Sequence, residues 1–548
     1  MSLTRLLRCV VFAGVLAAGV LALSSGLPGS VLAEGELDAL VGAFWAAVTD
    51  EERLAARNAI LSADSRYEFS SVAEAMRHGR RYSADVGRGR QLRTRRNRDG
   101  VEFPYLVHVP ESYDPSRPYP VRVYLHGGIM RPKRDDGSWW RNPDRFVRDD
   151  TIVVFPTSWP ESIWWQRSQV ENLAGLLNDI KRQYHIDENR LFLLGVSDGA
   201  TGAYYHAFKA TTPWAGFLPF IGHPAVLGNP SSDVGGEMHV VNLTGKPFFI
   251  VNGGRDRLYP VASVEPYLEL FERAGVAMDF RPQPEGGHNL DWWPELTDAI
   301  DEFVADTRRE PLPDRLSWRT ENTDAYNRTH WLVINELAES GDGPSAESRR
   351  ASDPANSLRR RMPATPLGLS TIGELEGGAG LRLMDVGAES VFALAGVEAD
   401  DVLVSVNGRV MSSVDDLRSE LVGFSPGDEL PIGVDRDGRR LELVAAYPDI
   451  WTEQERAAFQ HQRRSGVVEV TRDGNTVVVS SERVARFTLL LSPDRFDFSQ
   501  PVRVETNGVI SHGAVIEPSV ETMLRWAAID QDRSMLFGAE LEIEVPDR

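Results

Sequence analysis

The chain reads Gly195-Val196-Ser197-Asp198-Gly199-Ala200 directly after the apolar segment 190–194. A short apolar run of this kind, bounded by glycine, is typical of a buried strand, and a segment with helical spacing follows it. Glycines two positions before and after a serine allow a sharp turn from strand to helix, which raises the serine hydroxyl above the edge of a sheet. The segment therefore predicts a nucleophilic serine, although a pattern this short also occurs by chance.

Segments on both sides of this turn supply what such a serine needs. Upstream, an apolar segment runs into His126-Gly127-Gly128, where small residues let backbone N–H groups face a substrate. Downstream, Asp256 follows the apolar segment 247–251, and His288 comes after the next helix and strand. A carboxylate that orients an imidazole, which in turn activates a serine, is the arrangement that nucleophilic catalysis requires.

Strands and helices alternate in this part of the chain. The sequence predicts strands at 101–110, 119–125, 151–155, 190–194, 215–221, 247–251 and 276–281, and helices at 168–184, 264–274 and 293–304. Strands that alternate with helices of this length predict an α/β fold, with a mostly parallel sheet covered by helices on both faces.

Residues of about 100 to 308 resemble the α/β-hydrolase superfamily, nearest to esterase-like members of the feruloyl esterase and polyhydroxyalkanoate depolymerase kind. The resemblance rests on four motifs in order, which are HGG at 126–128, GVSDGA at 195–200, NGGRD at 252–256 and GGHN at 286–289. It implies Ser197 as nucleophile, His288 as general base and then acid, and Asp256 as the group that orients His288. We expect the N–H groups of Gly128 and Asp198 to form the oxyanion hole, with the Asp198 side chain pointing away from it.

Each of these residues also has a structural interpretation. Taken singly, the serine, aspartate and histidine could be a turn residue, a helix cap and a loop residue. His223 is the alternative base, and Asp291 is the alternative acid, although Asp291 lies very close to the histidine in sequence. His126 is expected to hold the oxyanion loop by hydrogen bonds rather than to act as a base.

Three tryptophan doublets follow the carboxyl ends of expected strands, which is the edge where α/β sheets bind ligands. The doublets are Trp139-Trp140, Trp164-Trp165 and Trp292-Trp293. One hypothesis is that Trp139, Trp140, Trp164, Trp165 and Trp292 form an aromatic wall for a planar or sugar-bearing substrate. The other is that they only pack long loops, and the sequence favours neither.

Residues 364–448 resemble a PDZ domain of the permuted bacterial type. The resemblance rests on Pro366-Leu367-Gly368-Leu369, on the segments 396–403 and 406–408, and on a helix at 413–421. It implies that Leu367, Gly368 and Leu369 bind a peptide, which adds as a strand while its terminal carboxylate is held by backbone N–H groups. A PDZ fold that serves only as a spacer is the alternative.

The β-rich segments on either side of this unit are each too short to close a sandwich, so we interpret them as one β-sandwich-like domain with the PDZ domain inserted. The full division is a signal peptide at 1–33, a helical segment at 34–90, the α/β-hydrolase domain at 91–310, the first β part at 311–337, a linker at 338–363, the PDZ domain at 364–448, and a short helix with the second β part at 449–548.

The N-terminal residues have the pattern of a secretory signal peptide. Arg5 and Arg8 precede an apolar run at 10–23, and Val31-Leu32-Ala33 offers a cleavage site. The sequence therefore predicts a periplasmic or secreted protein, with a retained membrane anchor as the alternative. Cleavage would remove Cys9, the only cysteine, so no disulfide or thiolate site is expected in the mature chain.

Three functions remain open at this point. The first is an exported serine hydrolase that cleaves a small or polymer-linked ester; the others are a serine peptidase of the same fold and a non-catalytic binding protein. A PDZ-bound protein C-terminus is a possible partner, whereas a net charge of −21 argues against nucleic acid. No metal-binding motif and no cofactor motif occurs in the sequence, so we expect neither.

Overall fold

The computed structural model describes residues 29–229, 232, 234, 238–338, 356–375, 377, 380–461 and 463–546. Most of the expected signal peptide, residues 1–28, lies outside these ranges, as does the part of the expected linker at 339–355. Within the described part of the chain, no helix is both long and apolar enough to cross a membrane.

The helices of the described residues are α1 Gly29–Ala46, α2 Asp50–Ala63, α3 Phe69–His78, α4 Arg167–Gln183, α5 Asp198–Lys209, α6 Val261–Arg273, α7 Trp293–Asp306, α8 Val391–Leu394, α9 Val414–Leu421 and α10 Val520–Asp530.

An eight-stranded sheet forms the centre of the α/β domain. Its strands are β1 Gly89–Arg96, β2 Glu102–Val109, β3 Tyr119–Leu125, β4 Ile152–Pro156, β5 Ile186–Val196, β6 Gly216–Phe220, β7 Phe248–Ile250 and β8 Met278–Phe280. They lie in the order β1-β2-β4-β3-β5-β6-β7-β8. The first two strands are antiparallel to their neighbours, and the remaining six are parallel. This is the mostly parallel sheet that the alternation of strands and helices predicts.

Alternate side chains of these strands enter two cores on opposite faces of the sheet, as the period of a strand requires. On one face, Val123 and Leu193 pack with residues of α4, α5 and α6. On the other, Tyr124 and Phe192 pack with α7 and with aromatic residues of the long loop after β3. The carboxyl ends of the parallel strands, where the site motifs lie, are thereby held between two packed layers.

Two smaller sheets pack around one core to form the β domain. Their strands are β9 Arg315–Thr320, β10 Arg328–Thr329, β11 Leu332–Leu337, β20 Gly466–Asp473, β21 Thr476–Glu482, β22 Val484–Leu491, β23 Val502–Thr506, β24 Val509–Ala514 and β25 Ala539–Glu544. One sheet has the order β24-β23-β21-β20-β9, and the other has the order β10-β11-β22-β25. Strands from before and after the PDZ segment therefore pair with each other, β9 with β20 and β11 with β22.

The PDZ segment is a separate unit with its own core. Its strands are β13 Leu369–Glu374, β14 Leu381–Val386, β15 Val402–Val406, β16 Arg409–Val410, β17 Glu429–Arg436 and β18 Arg439–Ala446, in the order β13-β14-β15-β17-β18 with β16 beside β15. In this order β13 is an edge strand.

A two-stranded ribbon connects the PDZ unit to the rest of the chain. Strand β12 (Ser357–Pro363) leads into the unit, strand β19 (Trp451–Ala457) leads out of it, and the two pair antiparallel along their length. At the base of the ribbon, Leu358 and Phe459 are buried in the core that contains α5 and α6. The PDZ unit is therefore attached to the α/β domain through a strand pair whose base is packed.

The ribbon corrects two expectations. Residues 357–363, expected to end a linker, form a strand. A short helix was expected to open the segment 449–548, but residues 451–457 form a strand there. The segment Thr-Glu-Gln-Glu-Arg-Ala has residues that favour helices, but pairing with the basic strand β12 outweighs this weak local preference. Strand β1, whose residues are mostly arginine and other polar types, was not expected at all.

The N-terminal helices pack against the C-terminal part of the chain. Residues of α1, α2 and α3 share a core with α10, which contributes Val520, Met523, Leu524 and Ala527. The expected helical segment at 34–90 thus packs against α10, a helix that the sequence did not predict. The last residues of this segment begin strand β1 of the central sheet.

Candidate active site

Ser197 lies at the turn between strand β5 and helix α5, with φ 57° and ψ −117°. Positive φ is uncommon outside glycine, and at this turn it raises the side chain above the sheet. A Cβ on Gly195 would lie 2.0 Å from the carbonyl oxygen of Gly199, and a Cβ on Gly199 would lie 2.0 Å from that of Leu125. Only glycine fits at these two positions, which explains the spacing of the motif around the serine.

The loops after β7 and β8 bring Asp256 and His288 to this serine. His288 Nε2 lies 2.9 Å from Ser197 Oγ, and His288 Nδ1 lies 2.8 Å from Asp256 Oδ2. The second carboxylate oxygen, Asp256 Oδ1, accepts hydrogen bonds from the N–H groups of Leu258 and Tyr259. The Asp256 side chain is fully buried, whereas His288 is partly exposed. The geometry is that of a nucleophile, a base and a buried carboxylate that orients the base.

Close packing of two glycine-rich loops sets this arrangement. A Cβ on Gly253 would lie 2.2 Å from the carbonyl oxygen of Gly286. The N–H of Arg255 donates to the same oxygen at 2.9 Å. The glycines of the NGGRD and GGHN motifs therefore let the aspartate loop and the histidine loop approach each other.

The alternative base, His223, and the alternative acid, Asp291, take no part in the hydrogen bonds between Ser197, His288 and Asp256. His223 Nδ1 accepts a hydrogen bond from the N–H of Ala225, and its Nε2 lies 2.9 Å from the carbonyl oxygen of Ser263. Burial lowers the pKa of His223, and both ring nitrogens are engaged with the backbone. Asp291 is exposed, and within the described residues its carboxylate has no hydrogen bond to His288.

His126 has the structural role expected for it. Its Nδ1 lies 3.0 Å from the carbonyl oxygen of Gly127, and its Nε2 accepts a hydrogen bond from the N–H of Ser158 at 3.0 Å. Burial lowers the pKa of His126 to about 4, so the imidazole is neutral at pH 7. The indole N–H of Trp164 donates to the carbonyl oxygen of His126 at 2.8 Å, which fixes this loop from below.

The oxyanion hole differs from the expectation. The Asp198 side chain does not point away, because its Oδ2 accepts hydrogen bonds from the N–H of Gly128 at 2.8 Å and from the N–H of Ile129 at 3.1 Å. The N–H of Gly128 is therefore occupied by a carboxylate. The N–H of Asp198 begins helix α5, where the first N–H groups have no acceptor within the helix. Of the two expected donors, only the N–H of Asp198 has no hydrogen-bond acceptor among the described residues.

A cleft of about 440 Å³ opens beside the serine, a size that suits a small substrate. Its lining includes His288, His126 and an apolar wall of Trp139, Trp140, Phe146 and Leu290. Three arginines, Arg131, Arg141 and Arg145, also line it.

Only one of the three tryptophan doublets lies where the aromatic-wall hypothesis requires it. Trp139 and Trp140 line the cleft, but Trp164, Trp165 and Trp292 do not. Trp164 has no exposed surface, and the other two are also buried, since they fill the cores beneath the site. For these three residues the packing interpretation is the correct one.

The expected peptide site of the PDZ unit lies at an exposed edge. Residues 366–368 precede edge strand β13, whose outer side has no strand partner among the described residues. The carbonyl oxygens of Pro366, Leu367 and Gly368 accept hydrogen bonds from the N–H groups of Val391, Phe392 and Gly387. Gly368 has φ +91°, and a Cβ there would lie 2.0 Å from Ser390 Oγ. Leu367 and Leu369 are half-buried beside the core, so the loop is held firmly while its edge stays open.

Sequence reasoning did not identify the arginines of the cleft or Tyr259. The arginines lie in a segment, 131–148, that is rich in them, but nothing in the sequence says which ones line the cleft. The Tyr259 ring lies edge-on to the His288 ring, with 5.8 Å between ring centroids. Burial, followed by the nearby charges of Asp198 and Asp256, raises the pKa of Tyr259.

Comparison with known proteins identifies one part of the chain by sequence. Residues 360–445 match the family model of the PDZ domain. A search of the curated proteins finds no match to the chain.

Solved structures resemble about two fifths of the chain. A thermostable esterase is 21% identical, with a TM-score of 0.34, over 40% of this chain and 63% of that one. Dipeptidyl peptidase 4 of Porphyromonas gingivalis is 14% identical, with a TM-score of 0.33, over 40% of this chain and 35% of that one. Esterase 2 of Thermogutta terrifontis, phosphoramylated by tabun, is 12% identical, with a TM-score of 0.34, over 40% of this chain and 94% of that one.

The chain thus spans under two thirds of the first two of these structures. Its own sheet is mostly parallel and lies between helices, as the sequence predicts. The protein therefore combines an α/β domain built on a mostly parallel sheet with a PDZ domain at residues 360–445.

Proposed function

We propose that this protein is a serine hydrolase that cleaves an ester through an acyl-enzyme intermediate. The observation that carries the proposal is the chain of two short hydrogen bonds, from Ser197 Oγ to His288 Nε2 and from His288 Nδ1 to Asp256 Oδ2. A serine that is raised at a strained turn and paired with a base in this way is equipped for nucleophilic attack.

In the proposed reaction, Ser197 Oγ attacks the carbonyl carbon while its proton passes to His288 Nε2. The Asp256 carboxylate accepts the Nδ1–H of the resulting imidazolium and stabilises its charge. The oxyanion that forms is placed near the N–H of Asp198, at the first turn of α5, where the helix dipole also favours negative charge. Collapse of the intermediate releases the alcohol, which takes the proton from His288.

The acyl group is then an ester of Ser197. His288 Nε2 accepts a proton from water, the hydroxide attacks the acyl carbon, and the carboxylic acid leaves as Ser197 regains its proton. These steps use only groups of this chain and one water molecule.

A serine peptidase is the second candidate, because the same groups can attack an amide. The PDZ domain favours this candidate, since domains of this kind hold free C-termini and can deliver a polypeptide to a nearby site. A non-catalytic binding protein is the third, and it would not require the hydrogen bonds around Ser197.

One panel of substrates separates the three. Purified protein is assayed with 4-nitrophenyl esters of short acids, with aryl acid esters and with peptide amides, and is labelled with a fluorophosphonate. Ser197→Ala should abolish labelling and lower turnover by several orders of magnitude. Ser112→Ala is the matched control, because Ser112 is an exposed serine far along the chain from the motif. Persistent labelling of Ser197→Ala would remove this serine from the mechanism, and amide turnover that exceeds ester turnover would favour the peptidase.

We further propose that the PDZ domain binds the free C-termini of peptides along β13. Support comes from the open edge of β13 and from the loop at Leu367 and Gly368 that precedes it. Peptides with apolar C-terminal residues, each tested with a free and with an amidated end, should bind only in the free form. Equal binding of both forms would contradict carboxylate capture.

We also propose that the protein is exported. Support comes from residues 1–33 alone, through the basic residues, the apolar run and the small residues before Glu34. Fractionation of expressing cells and N-terminal sequencing should give a periplasmic or secreted chain that begins at Glu34. A chain that keeps Met1 and stays with the membrane would instead support an anchor.

A further inference from the structure

The cleft beside Ser197 has a charge opposite to that of the protein as a whole. The chain carries a net charge of −21, yet Arg131, Arg141 and Arg145 line the cleft. Among the described residues, no aspartate or glutamate lines it. A positive cleft on an acidic surface is an arrangement that attracts an anion locally while the rest of the surface repels it.

All three cleft arginines are exposed, unlike the buried or half-buried Arg122, Arg309 and Arg436, which pair with carboxylates. Within the described residues, none of the three cleft arginines lies within ion-pair distance of an acidic group. Their guanidinium groups are therefore available to accept a ligand carboxylate, for which the planar fork of arginine is well suited.

Two of the three have defined positions. The Arg131 guanidinium lies over the oxyanion loop, with atoms 3.3–3.5 Å from the place that a Cβ on Gly128 would occupy. The Arg145 guanidinium lies over the Phe146 ring, 4.9 Å from its centroid, and 5.7 Å from that of Trp293. Burial lowers the pKa of Arg145 while the exposed Asp291 raises it, and the guanidinium remains charged.

We propose that the substrate of this site is an ester that carries a carboxylate in addition to the bond that is cleaved. The inference rests on the proposed serine hydrolase and adds its substrate class. The apolar wall of Trp139, Trp140, Phe146 and Leu290 holds the body of the substrate, and the arginines bind its carboxylate. His288 lines the same cleft, so a ligand that fills it has its ester near the serine.

The test compares pairs of esters in which one member carries a carboxylate and the other does not. In the first pair, 4-nitrophenyl hemiglutarate is compared with 4-nitrophenyl valerate, which places the charge in the acyl half. In the second, 4-acetoxybenzoate is compared with 4-acetoxybenzamide, which places the charge in the leaving half and leaves one ester bond in each compound. In at least one pair, kcat/KM for the charged ester should exceed that for the neutral ester by about tenfold, and the ratio should fall at high salt.

Variants assign the preference to the arginines. Arg131→Gln, Arg141→Gln and Arg145→Gln should each lower the charged-to-neutral ratio severalfold, and the triple variant should remove the preference. Arg167→Gln is the matched control, because Arg167 is an exposed arginine paired with Glu171 on α4. A ratio near one in both pairs, with Ser197-dependent turnover of the neutral esters, would overturn the inference while leaving the proposed hydrolase intact. If none of the four esters is turned over, the proposed function itself fails.

A second inference rests on a different cluster, whose residues do not line the cleft beside Ser197. His239, Glu321 and His461 come together where the α/β domain, the β domain and the segment after the ribbon meet, with their possible ligand atoms within 4.8 Å of one another. His239 Nε2 lies 3.3 Å from a Glu321 carboxylate oxygen, and both side chains are almost entirely buried. This spacing is close to that between two ligands of a tetrahedral zinc ion with bonds of about 2.0–2.1 Å.

The state of the two imidazoles fits metal ligation. Neither ring nitrogen of His239 has a hydrogen-bond partner among the described residues, which is costly for a buried polar group. His461 Nε2 lies 3.0 Å from the carbonyl oxygen of Met238, an outer contact that orients a ligating imidazole.

We infer that His239, Glu321 and His461 bind a divalent transition metal, with Zn²⁺ the best match to two imidazoles and a carboxylate. The metal would join three segments that are distant in sequence, so its expected effect is on stability. This site was not expected from the sequence, because no short motif contains the three residues.

The test measures metal and melting temperature together. Protein dialysed against EDTA and then against Zn²⁺ should bind one equivalent by elemental analysis, and its melting temperature should rise by several degrees. His239→Gln and Glu321→Gln should lose both effects, whereas His78→Ala, an exposed histidine at the end of α3, should retain them. Absence of bound zinc in the wild-type protein at about millimolar Zn²⁺, or an equal thermal shift in His239→Gln, would overturn the inference.

Discussion

The proposed serine hydrolase site and the proposed peptide-binding edge of the PDZ domain are built from different groups. The hydrolase site is made of side chains, with Asp256 fully buried and hydrogen-bonded on both carboxylate oxygens. The PDZ edge is made of backbone groups along β13 and the loop before it. A site made of side chains is sensitive to single substitutions, whereas a site made of backbone is sensitive to the presence and position of an edge strand. Five experiments test this contrast, in order of expected effect.

The largest effect is expected for Asp256→Asn. The amide cannot accept the Nδ1–H in the same way and favours the wrong imidazole tautomer, so kcat should fall by about 10⁴ with little change in folding. Asp291→Asn is the control, since its carboxylate is exposed and does not contact the histidine. Peptide binding at the PDZ domain should be unchanged, and a larger loss of activity for Asp291→Asn would reverse the assignment of the acid.

Deletion of the PDZ domain should abolish peptide binding and leave the Ser197 site unaffected. A deletion of residues 365–449 with a short replacement turn keeps β12 and β19 and their buried base at Leu358 and Phe459. Because loop-closure entropy grows slowly with length, the ribbon can close as a hairpin. The variant should lose all binding of C-terminal peptides and keep turnover of a small ester within about twofold. Loss of ester turnover in a folded variant would place the PDZ domain at the active site.

Acid should unfold the two units at different pH values. Burial lowers the pKa of His126 to about 4 and that of His206 to about 3, from 6.5. A buried neutral histidine stabilises the fold fully above pH 6.5, and this contribution is lost as pH falls toward the lowered pKa. For His126 the loss is about 3 kcal/mol.

The PDZ domain carries no histidine in residues 360–445. Hydrogen bonds from Ser412 and Ser413 lower the pKa of Asp416 to about 2. The contribution of this carboxylate to the stability of the PDZ domain therefore persists to lower pH. Unfolding followed by tryptophan fluorescence for the hydrolase domain, and by peptide binding for the PDZ domain, should show that the hydrolase domain fails first as pH falls below 6. A coincident loss of both signals would contradict this difference.

A smaller effect is expected at Asp198, where a side chain acts on backbone groups. Asp198→Ala removes the acceptor for the N–H groups of Gly128 and Ile129, so the oxyanion loop should lose its position and kcat should fall by about 10- to 100-fold. Asp198→Asn keeps an acceptor and should retain most of the activity. KM for a neutral ester should change less than kcat, and equal activity of the two variants would assign no positioning role to this side chain.

The smallest effect is expected at the cleft wall. Trp139→Ala should raise KM for aryl esters severalfold, and less for acetyl esters, because only the larger substrate reaches this wall. Trp165→Ala is the comparison, since it should lower stability instead, by about 3–5 kcal/mol, as loss of a buried aromatic side chain does. Equal KM effects on both esters for Trp139→Ala would exclude contact with substrate.

Sequence reasoning was most successful where chemistry is encoded locally. Several elements begin and end within a few residues of the bounds that the sequence predicts, because hydrophobic periodicity marks strands and helices alike. They are the strands expected at 119–125, 151–155 and 247–251 and the helices expected at 168–184 and 293–304. It failed for β1 and β19, whose polar residues have no strand periodicity and form strands only through their partners. The missed helix α10 is likewise defined by what it packs against, namely the N-terminal helices.

Three features could be predicted from the sequence, because each depends on residue types at short spacing. They are the order of Ser197, Asp256 and His288, the glycines around these residues, and the PDZ segment. The tertiary structure decided four other features. It set the direction of the Asp198 carboxylate, and it placed Trp139 in the cleft but Trp164 in the core. It also brought three arginines together in the cleft and joined His239, Glu321 and His461 in one cluster. Each of these depends on loops and domains that are far apart in sequence and are brought together only when the cores pack.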